Sequence, residues 1–158
     1  MVREIMAHEG KIAPADCKAA SAVSTGMGVI IDRATKSFDL PSAATAADIY
    51  VVHKDRTPVG VWAGVDNLSD YFEQFNSVAQ NEYAPLWKYE AADVFAVDQY
   101  DASLADGDKG KLMAVGTDGK WTVAGSGATS VYKFVDWFMD NGHKLAKIEV
   151  LDTAVANS

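Results

Sequence analysis

Residues 111–151 constrain this chain more than any other stretch, because they hold two dipeptides that few backbone shapes accept. Asp118-Gly119 separates Leu112-Met113-Ala114-Val115 from Lys120-Trp121-Thr122-Val123, and Asn141-Gly142 separates two longer runs of strand formers. Both dipeptides suit a type I′ turn, which needs φ > 0 at two consecutive residues. A two-residue loop at Asn141-Gly142 sets Asp136 opposite Lys147 and Asp140 opposite His143. The alternate positions then place Val135, Trp137 and Met139 against Ile148, Ala146 and Lys144. One face is apolar and the other charge-matched, the pattern of a half-buried antiparallel pair. Val131, Phe134, Val135 and Phe138 also meet helical spacing. The strand reading is preferred because these residues are β-branched or aromatic and a hairpin signal follows them.

The remainder of the chain carries the same signature. Residues 26–32 read as a strand that turns through 33–36 into residues 37–41. Ile49-Tyr50-Val51-Val52-His53-Lys54 and Val59-Gly60-Val61-Trp62 follow as strands around Pro58, and residues 90–100 return to strand. Residues 11–25 read as irregular or weakly helical, and residues 42–47 as a connector. One stretch has a helical period. Asn67 can cap it, Asp70 lies in its first turn, and Leu68, Tyr71/Phe72, Phe75 and Val78/Ala79 recur at helical spacing. The fold class expected is mainly β: a small antiparallel β barrel or sandwich with one packed α-helix at about residues 67–81. No linker divides the chain, so residues 1–158 are expected to form a single β-rich domain. Residues 1–12 are either an N-terminal arm or an edge strand. Within them Val2, Ile5 and Met6 are the candidate protein-contact residues, because their apolar side chains precede the folded pattern and can order against a partner.

Composition narrows the choice of partner. Hydrophobic residues at 49% and charged residues at 23% are globular values. Lys+Arg 14 against Asp+Glu 22 leaves a net charge of −8, and no three basic residues cluster. Nucleic acid and anionic membrane are therefore disfavoured, since phosphate binding draws on clustered cations. No apolar run reaches the ~18 residues of a membrane span. The first residues carry acids and lack an apolar signal core, so synthesis and folding in a cytoplasm are expected. Cys17 is the only cysteine, which excludes an intrachain disulfide and reads as a small semi-apolar residue.

The search for chemistry returns little. His8, His53 and His143 are too scattered for zinc-ligand spacing. Asp98, Asp101, Asp106 and Asp108 lack the calcium-loop pattern, and residues 106–110 read as a solvated turn. Residues 107–112 only partly match a phosphate loop: the first glycine falls at Ala105, and Leu112 replaces the metal-binding Ser/Thr. Ser126 lies in Gly125-Ser126-Gly127, which is not a nucleophile elbow. Trp62, Trp87, Trp121 and Trp137 are expected in the core, with an exposed aromatic patch for carbohydrate or protein as the other reading. No catalytic residue, metal or cofactor is expected.

The order of these stations resembles a known family. Gly26-Met27-Gly28-Val29, Ile49-Tyr50-Val51-Val52, the acidic segment 69–79 and Val94-Phe95-Ala96-Val97-Asp98-Gln99-Tyr100 come first. Ala105-Asp106-Gly107-Asp108, Gly119-Lys120-Trp121 and Ala146-Lys147-Ile148-Glu149-Val150-Leu151 complete the series. Over roughly residues 26–151 the chain is similar to the capsid decoration, or cement, and accessory head proteins of tailed bacteriophages. The resemblance implies a non-enzymatic virion structural protein, made in the host cytoplasm, that binds and stabilises the outer capsid surface. Its implied partner is the major capsid protein, with monomer, dimer and trimer all open as the bound form. The alternative is a free-standing β-rich carbohydrate- or protein-binding module, and a small enzyme with a site assembled by tertiary contacts is a third reading.

Overall fold

The computed structural model describes residues 1–7, 16–54 and 76–157. At Asn141 φ is 48° and at Gly142 it is 85°, the left-handed pair of a type I′ turn. The register then follows as expected, with Asp140 opposite His143, Met139 opposite Lys144, Trp137 opposite Ala146 and Asp136 opposite Lys147. Val135 departs from it. A bulge between Phe134 and Asp136 brings Phe134, not Val135, opposite Ile148, and both Phe134 and Ile148 are fully buried. The extra residue lets the larger ring enter the core without losing the charge match beyond it. No atom lies within 4 Å of a Cβ built on Gly142, so a side chain there meets only the backbone cost. Gly142→Val should lower stability by about 1 kcal/mol or more, measured by denaturant unfolding, because a β-branched residue resists positive φ.

Asp118-Gly119 makes a different hairpin from the expected one. Only Gly119 has positive φ, at 77°. The Gly119 N–H donates to the Gly116 carbonyl at 3.0 Å, and the Gly116 N–H donates to the Lys120 carbonyl at 2.8 Å. The loop therefore has three residues, ending in a left-handed glycine. The Asp118 carboxylate accepts the Lys120 N–H at 3.1 Å, a local bond that suits this turn.

In chain order the strands are β1 (Val2–Met6), β2 (Lys18–Ala19), β3 (Val23–Ser24), β4 (Gly28–Asp32), β5 (Ser37–Asp39) and β6 (Tyr50–Val52). They continue with β7 (Ser77–Val78), β8 (Leu86–Trp87), β9 (Val94–Val97), β10 (Met113–Val115), β11 (Trp121–Val123), β12 (Thr129–Asp140) and β13 (His143–Ala156). The protein is mainly β, and its four-stranded sheet, β1-β9-β13-β12, curls into a half-barrel. A five-stranded sheet runs β2-β5-β4-β6-β8, and the pairs β10-β11 and β3-β7 complete the described frame. Among the described strands pairing is antiparallel except between β2 and β5, which run parallel.

The apolar run at residues 49–52 explains the layering. Ile49 and Val51 join the larger core with Phe95, Met113, Trp121, Phe134 and Ile148. Tyr50 and Val52 join a second core with Val29, Phe38, Val78 and Leu86. A strand buried on both faces needs an unbroken apolar sequence, and each large aliphatic side chain so buried stabilises by about 1.5–3 kcal/mol.

The expected helix at residues 67–81 does not hold over its last positions. Ser77–Val78 is strand β7, with Val78 opposite Val23 and Ser77 opposite Ser24. Val78 is buried in the second core, so tertiary pairing overrides the helical period there. Residues 67–75 lie outside the described residues, as do the strand expected at residues 59–62 and residues 8–12 of the N-terminal segment.

Candidate protein-contact surface

Strand register sorts the half-barrel into two faces. Val2, Val97, Ala146 and Trp137 align across the four strands and point into the larger core. The next aligned set, Arg3, Ala96, Lys147 and Asp136, lies on the outer face. A second outer row runs Met6, Val94, Glu149 and Lys133, and an isolated bridge extends it to Leu112. Beside the first row, Met1, Ala96 and Leu145 form a small buried cluster with Phe138, and Arg3 Nε pairs with Asp140 Oδ2 at 2.5 Å.

Residues 2–6 are thus a strand at the end of this sheet among the described residues. Of the three expected contact residues, Val2 is buried, whereas Ile5 is 40% and Met6 55% exposed. The bulge between Glu4 and Met6 shifts the register at Ile5. β1 pairs with β9 on one side and ends the sheet order on the other among the described residues. An edge strand offers backbone N–H and C=O groups, and charged residues are the usual means of blunting it; here two exposed apolar side chains lie along it.

The other candidates resolve one by one. Trp121 is in the core, Trp62 lies outside the described residues, and Trp87 stacks on His53 at 4.5 Å. Trp137 is half-buried beside Phe134 and Tyr100, its Nε1–H donates to Asp106 Oδ1 at 2.6 Å, and Lys144 Nζ sits 3.8 Å from its ring centroid. The protein's own cation already occupies that ring. Cys17 is buried, and burial, followed by the neighbouring Asp16 charge, raises its thiol above the ordinary value, which disfavours the thiolate. His8 lies outside the described residues and His143 is exposed at the hairpin turn. Ser126 is exposed in the loop between β11 and β12. Among the described residues no group of three or more His, Cys, Asp or Glu could hold a metal ion, and no helix is long and apolar enough to cross a membrane.

The acidic run separates into individually partnered groups. Asp98 Oδ1 accepts from the Met1 ammonium at 2.5 Å. Asp101 is held below the usual carboxylate range by Ser103, Asp106 by Trp137 and Lys109, and Asp108 by Lys111 and the Ala105 N–H. Asp136 is lowered by Lys109, whose Nζ is 2.7 Å away. Residues 106–108 form a single 3-10 turn, and the Gly110 N–H donates to the Phe134 carbonyl, so the residues of the phosphate-loop likeness lie in the connection from β9 to β10.

These shifts define the pH response. The lowered carboxylates contribute stability that is present above about pH 4, the unfolded value, and is lost as pH falls through their folded values. Tyr132 is buried, and desolvation raises its phenol well above the ordinary value; Lys109 is raised by Asp136. Their contributions are present below about pH 10 and lost as pH rises through the folded values. Thermal unfolding across a pH series should give a plateau from about pH 5 to 9, with a fall on the acid side from the lowered carboxylates and on the alkaline side from Tyr132 and Lys109. A stability maximum near pH 3 would contradict this arrangement.

A groove that sequence reasoning missed lies on the outer face near Lys133. It has a volume of about 510 Å³ and is lined by Leu112, Val123, Leu151, Val155, Lys111 and Lys133, among others. The signal for it is weak: after Val150 the strict alternation of β13 gives way to Leu151-Asp152-Thr153-Ala154, a run with no partner pattern in β12. Comparison with protein-family models, curated proteins and solved structures finds no match for this chain.

Proposed function

We propose that this chain is a non-enzymatic structural protein of a virion that binds the outer surface of a tailed-phage capsid and reinforces it. The observation that carries the contact is β1, the last strand of its sheet among the described residues, where Ile5 and Met6 are exposed. Such an edge can accept an extended partner segment: backbone hydrogen bonds supply affinity, and pockets for alternate side chains supply selectivity. The rigid β frame and the family-like order of strands favour the same role. Many copies, each with a modest interface, would reinforce a shell by multivalent linkage, and a net charge of −8 would keep a decorated particle dispersed. The carbohydrate-binding alternative is less favoured, because Lys144 covers the half-buried Trp137 ring.

Cosedimentation of the purified protein with undecorated capsids tests the reading. The wild-type chain should pellet with the shells in a saturable ratio. The double variant Ile5→Asp/Met6→Asp should bind at least about tenfold more weakly, a loss of about 1.4 kcal/mol. No pelleting, together with absence of the chain from purified virions, contradicts the proposal.

A further inference from the structure

The groove beside Lys133 is built by a defect in an otherwise regular hairpin. β12 is flanked on one side by residues 110–112, through Gly110 N–H to the Phe134 carbonyl at 2.7 Å and Phe134 N–H to the Lys111 carbonyl at 2.9 Å. On its other side β13 follows it as far as Tyr132 opposite Val150, and the next pair is Ser130 opposite Val155. Residues 151–154 therefore stand against Val131 alone, and β13 swings away. The far lip is pinned again by Asn157. Its Nδ2 donates to the Ala124 carbonyl at 2.5 Å, its N–H donates to the Ala128 carbonyl at 2.8 Å, and its carbonyl accepts the Gly127 N–H at 2.8 Å. Bonds on both lips hold the opening before any partner arrives.

Its lining carries two cations in an otherwise acidic molecule. The chain has a net charge of −8, yet the described residues that line the groove include Lys111 and Lys133 and no Asp or Glu. Lys111 pairs with Asp108 at 2.8 Å and Lys133 with Glu149 at 3.9 Å, each with partly exposed side chains. Exposed pairs of this kind are worth about 0–1 kcal/mol, so an incoming carboxylate can take either ammonium at little cost. The lining also has an apolar part that includes Leu112 and Leu151, which pack together with Ala114 and Ala124. We propose that this groove binds an extended segment of a partner protein in which carboxylate side chains alternate with apolar ones. The apolar side chains cover Leu112, Val123 and Leu151, and the carboxylates reach Lys111 and Lys133. The volume falls within the 300–1,000 Å³ range typical of ligand sites.

The test uses the full purified chain and fluorescein-labelled hexapeptides, read by fluorescence anisotropy. A peptide alternating Leu and Asp should bind saturably and weaken as salt rises, and a peptide alternating Leu and Lys should not bind. Lys111→Glu/Lys133→Glu should weaken the Leu/Asp peptide by about tenfold or more. Thermal unfolding establishes that this variant is folded; should it not be, Lys111→Met/Lys133→Met removes the charges while keeping the side-chain stems and carries the same expectation. Val155→Asp, at an exposed lining position, should also weaken binding. The proposal is overturned if no saturable binding occurs or if the lysine variants bind like the wild type. It is equally overturned if an all-Asp peptide binds as well as the alternating one, or if decanoate binds more tightly than either. No shells enter this measurement, so its outcome is independent of the capsid reading.

Discussion

Replacing Trp121 with alanine should cost about 3–5 kcal/mol, the range for deleting a fully buried large aromatic side chain. Trp121 has no solvent exposure and lies edge-on to Phe95 at 5.4 Å and to Tyr132 at 4.9 Å. Its Nε1–H donates to the Gly26 carbonyl at 3.1 Å, and its backbone carbonyl accepts the Asp101 N–H at 2.8 Å. The residue thereby joins β11, the turn before β4 and the half-barrel in one place. A domain of this size has about 5–15 kcal/mol in all, so urea unfolding should show a large drop in midpoint. Trp121→Phe should fall in between, because the ring remains while the Gly26 carbonyl loses its donor, at about 1–3 kcal/mol. A loss below 1 kcal/mol for the alanine variant would mean that Trp121 is not at the centre of the larger core.

Gly28→Ala should also be destabilising, although the change is one methyl group. A Cβ at this position would lie 2.3 Å from Val115 Cγ2, 2.9 Å from Val115 Cγ1 and 3.1 Å from Ile49 Cγ2. Val115 is fully buried, and the Gly28 N–H is held to the Gly119 carbonyl at 2.9 Å, so neither side has room to retreat. Overpacking of this kind costs about 1–3 kcal/mol, which exceeds the 0.5–1 kcal/mol that alanine gains over glycine within a regular strand. The mechanism has its own check in the double variant Gly28→Ala/Val115→Ala. Shortening Val115 removes the clash, so the pair should be less destabilised than the two single losses added together. Strict additivity would place the effect of Gly28 elsewhere.

Local features were legible because their causes lie within a few residues. Asn141-Gly142 has to adopt positive φ, and that turn alone sets Asp136 against Lys147. The same logic failed by one residue at Asp118-Gly119, where the side chain of Asp118 favours a three-residue loop. Long-range pairing was not legible. Nothing in Val2-Arg3-Glu4-Ile5-Met6 says that it lies against residues 94–97, and the parallel match of Lys18–Ala19 to residues 37–38 has no sequence mark. Val78 carried a helical period yet pairs with Val23, because period reports amphipathicity and not the partner that buries it. The proposed contact surface was half visible: apolar residues at positions 2, 5 and 6 were plain. Which of them faces water depended on the bulge after Glu4, and the groove depended on β13 parting from β12 at residues 151–154.

Cryo-electron microscopy of shells decorated with the purified protein tests the central proposal most directly. The account predicts density for this chain on the outer capsid surface, with β1 at the contact and Ile5 and Met6 enclosed by the shell protein. Bare shells after saturating incubation, or bound copies whose β1 edge faces solvent, would contradict it.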